Sequence, residues 1–134
     1  MAKFIANPSF RPRLDTAIGT ALAATVRELE KELTNAIESA VYFWPNETQR
    51  QNGQTVSSPR DIVDQGTFRD SQIARKITLR RWEIAWEVAY AVVILLGFQG
   101  VAGNSQPGRD WIGYALSNID LARVFSDELK GILR

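Results

Sequence analysis

From Leu14 to Ala40 the apolar side chains fall at Leu14, Ile18, Leu22, Val26, Leu29, Leu33, Ile37 and Ala40, every step three or four residues. That spacing is one face of an α-helix, expected over residues 13–39. At 1.5 Å per residue such a helix is roughly 40 Å long, more than a small domain usually contains. Ala17, Ala21 and Ala36 thicken the stripe, while Arg27, Glu28, Glu30, Lys31, Glu32 and Glu38 are expected to face solvent. Pro12 suits the first turn, where its missing N–H costs nothing, and residues 1–12 read as an arm leading into it. A stripe this long must be covered. The expected cover is a sheet, and part of the stripe is also available to a subunit interface.

The rest of the chain has to supply that cover. Residues 41–44 are β-branched and aromatic and end at Pro45; they read as a strand or as the frayed end of the helix. Residues 46–58 form a polar loop in which Asn52-Gly53 favours a hairpin turn, with 49–52 and 54–57 as arms of a small exposed ribbon. Asp61, Asp64 and Asp70 lie near Gly66 without the alternate spacing of a calcium loop, so turn and capping roles fit them better. Gln65-Gly66 marks a turn, and residues 67–71 read as one helical turn.

Alternation begins after Ser71. Ile73, Ile77 and Leu79 occupy odd positions, with Arg75 breaking the row; Trp82, Ile84, Trp86 and Val88 occupy even ones. The parity changes at Arg80-Arg81, as it does where a hairpin turns. Each arm then has one apolar face for the long helix to cover, with Trp82 and Trp86 as core aromatics rather than stacking platforms.

Residues 90–96 are nearly all apolar, and periodicity does not decide between a strand buried on both faces and a short helical turn. Residues 97–109 contain Gly100, Gly103, Gly108 and Pro107 and read as a projecting loop. Asp110 and Asp120 each stand where an N-cap belongs. The first precedes Trp111, Ile112, Ala115 and Leu116; the second precedes Leu121, Val124, Phe125, Leu129, Ile132 and Leu133. The expected class is α+β in a single domain spanning 1–134: a long N-terminal helix packed on a small antiparallel β-sheet, with a C-terminal helical segment.

Composition narrows the chemistry. The 134 residues contain no cysteine and no histidine. Disulfides, thiolate chemistry, zinc sites built on those ligands and Ser-His-Asp triads therefore lack their parts. No glycine run has the spacing of a phosphate cradle, so no catalytic, metal or cofactor site is expected. Net charge is +1, which selects no partner by bulk electrostatics. The longest apolar run is too short for a membrane span, and residues 1–8 lack the apolar region of a signal peptide. A soluble intracellular product is the expectation. Arg75, Lys76, Arg80 and Arg81 gather near the hairpin tip; such a ribbon can track phosphates or shield a strand edge.

Several local patterns occur in a telling order. Asp64-Gln65-Gly66-Thr67-Phe68-Arg69-Asp70-Ser71 precedes the strands. Tyr90-Ala91 and Leu96-Gly97 follow, then Pro107-Gly108-Arg109-Asp110-Trp111 and the last helix. Taken together, residues 10–130 resemble the minor tail component, or tail-completion, family of long-tailed bacteriophages, with Gln65 where Thr is usual, Phe68 where Leu is usual and Leu96 where an acidic residue or His is common. The resemblance implies a non-enzymatic virion protein of the neck or tail, assembled in the host cytoplasm. It further implies a ring, commonly of six copies, around the DNA channel. The head connector or stopper would lie on one side and the tail tube or terminator on the other, with no cofactor, no membrane and no sequence-specific DNA contact. The candidate contact residues are Arg50, Asn52, Arg60, Arg69, Arg80, Arg81, Gln99, Asn104 and Arg109. The alternative is a small nucleic-acid-binding domain that uses the basic ribbon.

Overall fold

The computed structural model describes residues 10–42, 48–49, 55–56, 62, 66–99 and 105–134. Its spine is α1, Phe10–Glu38. It begins three residues before the expected start, with Pro12 in the first turn as expected, where its missing N–H costs nothing. Two lines of side chains are buried along it: Ala17, Ala21, Thr25 and Val26 in the first half, then Leu33, Ala36 and Ile37 in the second. The first half thus buries small residues, while Leu14, Ile18 and Leu22 stay half-exposed beside them. Small side chains let another backbone come close, and α5 (Leu121–Leu133) packs there. The buried Thr25 hydroxyl donates to the Ala21 carbonyl at 2.8 Å, so its burial leaves no unsatisfied donor.

The main core lies against the second half of α1. Leu33, Ala36 and Ile37 meet Tyr42, Ile62, Phe68, Ala91, Trp111 and Ala115. Trp111 and Ala115 come from α4, Trp111–Ser117. Phe68 comes from α2, Thr67–Asp70, which is launched by Gly66 at φ 84°. That left-handed conformation suits glycine, and it aims Phe68 edge-on at Trp111 with ring centroids 4.8 Å apart. Trp86 meets the same indole edge-on at 5.1 Å.

Strands β3 (Gln72–Thr78) and β4 (Arg81–Trp86) form the central antiparallel hairpin. It lies alongside α1. Near its base, the Gln72 amide donates to the Glu30 carbonyl at 3.0 Å. At its tip, Arg80 pairs with Asp15 at 2.6 Å, and Leu79 rests on Gly19, where an added Cβ would come within 2.9 Å of its side chain. The turn is Leu79-Arg80, one residue earlier than the sequence suggests.

One expectation about this hairpin is overturned. Thr78 pairs with Arg81, but Lys76 pairs with Trp82, so Ile77 is an extra residue. Without that bulge, Ile77 and Ile73 would share a face with Trp82 and Trp86. The bulge flips every earlier β3 side chain to the other face. Gln72, Ala74 and Lys76 therefore join Trp82, Ile84 and Trp86, while Ile73 and Ile77 point outward, 38% and 48% exposed.

Two further ribbons are short. β1 (Thr48–Gln49) pairs with β2 (Thr55–Val56) in the ribbon expected around Asn52-Gly53, although that turn lies outside the described residues. Residues 90–96 resolve as helix: α3 is Ala91–Leu96. β5 (Gly97–Gln99) pairs with β6 (Ser105–Pro107), so the stretch expected to be a projecting loop contains a ribbon. Asp110 and Asp120 cap α4 and α5, accepting from the Gly113 and Arg123 amides at 2.7 and 3.1 Å.

Candidate interaction surfaces

The expected contact residues divide sharply. Arg50, Asn52, Arg60 and Asn104 lie outside the described residues. Gln99 contributes its backbone to the β5–β6 ladder opposite Ser105. Arg109 is 5% exposed, and its amide donates to the Ile94 carbonyl at 2.8 Å, tying α4 to α3. Placing Arg109 on a projecting loop was therefore mistaken: the paired ribbon draws its end back into the fold.

Arg69 is a tether between elements. Its guanidinium meets Glu38 of α1 and Asp70 of α2, each at 3.1 Å. The hydrogen bond to Asp70, followed by the attraction of Asp70 and then Glu38, raises its pKa further. Beside it runs a groove of about 540 Å³ that also touches Arg27, Glu30, Thr34 and Gln72. Its charges alternate in sign, which suits polar contact better than the capture of one ion.

The basic ribbon is partly neutralised. Arg75 pairs with Glu87, and Arg80 with Asp15. Arg81 remains exposed at the tip and makes no ion pair among the described residues. Those two pairs hold half of the four cations in intramolecular contacts.

Two apolar surfaces stand open. On α3, Val92, Val93 and Leu96 share the outward side, with Leu96 72% exposed. The outer face of the hairpin presents Ile73 and Ile77. Among the described residues no strand beyond β3 and β4 joins this sheet, so within them the outer edges of the ladder carry no further strand. Nothing in the sequence distinguishes the exposed side of α3, because all six of its residues are apolar and no polar residue marks an outer face.

Among the described residues no cluster of acidic side chains has the geometry to hold a metal ion, and no helix is long and apolar enough to cross a membrane. Asp110 and Asp120 are N-caps, as their positions suggest, whereas the Asp70 carboxylate pairs with Arg69 instead of capping a helix; Asp61 and Asp64 lie outside the described residues. Comparison with protein-family models, with characterised proteins and with solved structures finds no match.

Proposed function

We propose that this chain is a non-enzymatic structural protein of a bacteriophage neck or tail, a tail-completion or terminator subunit that assembles as a ring around the DNA channel. The observation that carries the reading is the order of motifs from Asp64 to Trp111 behind a long amphipathic helix. The architecture supports it with hairpin edges that carry no further strand among the described residues and with exposed apolar side chains on two elements, features a subunit needs when its neighbours complete its surface. A six-membered ring would meet the head connector on one face and the tail tube on the other. Negative-stain microscopy of the purified protein tests this: rings with a central opening are expected, together with the protein's presence in purified particles. A strictly monomeric protein absent from particles overturns it.

The nucleic-acid reading is the weaker one, because Glu87 and Asp15 already engage two of its four cations. It requires DNA binding that falls steeply with salt and is lost on Arg80→Ala with Arg81→Ala.

A further inference from the structure

We draw no further inference here: the strongest candidate, the uncharged apolar side of α3 where Val92, Val93 and Leu96 stand exposed, carries nothing, because nothing in the structure shows what covers it.

Discussion

Tyr42 shows how single residues close this fold. Its hydroxyl donates to the Ala36 carbonyl in the last turn of α1 at 2.5 Å, while its ring meets Tyr114 edge-on. Burial, followed by the influence of Tyr114 and Asp110, pushes its ionisation far above the usual phenol range. The folded state therefore favours the protonated phenol. Its contribution is complete below the unfolded pKa of about 10 and is lost as pH rises beyond it. Tyr42→Phe is expected to cost about 1 kcal/mol at neutral pH and to flatten the alkaline loss of stability, as read from urea melts across that window. An unchanged alkaline decline would show that Tyr42 does not drive it. The N-caps make a second prediction. Asp110→Ala should cost about 1 kcal/mol, because it removes the acceptor for the Gly113 amide; thermal melts check this. The caps were legible in sequence because a cap is a local event. Tyr42 was not, because its partner is a backbone carbonyl that leaves no mark in the pattern of side chains.

Among the elements, the helix and the hairpin differ in how much the sequence reveals. Every turn of α1 repeats the same evidence, so its extent was readable to within three residues. The hairpin's existence was equally plain, but its facing was not. A uniform ladder through the Leu79-Arg80 turn would put Ile73 and Ile77 with the tryptophans, as the alternation suggests. One bulged residue reverses that, and the outward isoleucines give no local sign of it. Deleting Ile77 tests the account. Lys76 still faces Trp82 and Thr78 still faces Arg81, so the inner face is kept and an exposed side chain is lost. Near-ultraviolet circular dichroism of the tryptophans should be preserved, with a stability change within about 1 kcal/mol. Inserting one residue between Ala74 and Arg75 should instead turn Gln72 outward, break its bond to the Glu30 carbonyl and destabilise the hairpin base. A deletion that abolished the tryptophan signal while the insertion preserved it would contradict the register.

Across the whole molecule, burial is concentrated at one end of the spine. The second half of α1 lies in a continuous core with Trp111 at its centre, 1% exposed. The first half rests on α5, none of whose residues is fully buried. The apolar stripe of α5 is clear from its spacing, but its depth is not, since depth depends on what covers it. Local opening free energies follow buried apolar contacts, so the two ends should differ in protection. Hydrogen exchange on the unassembled chain is expected to release the α5 amides well before those of α4 and residues 33–37 of α1. Truncation should show the same gradient. Trp111→Ala should cost about 3–5 kcal/mol and abolish cooperative unfolding, whereas Leu129→Ala on the half-buried face of α5 should cost less and leave the transition cooperative.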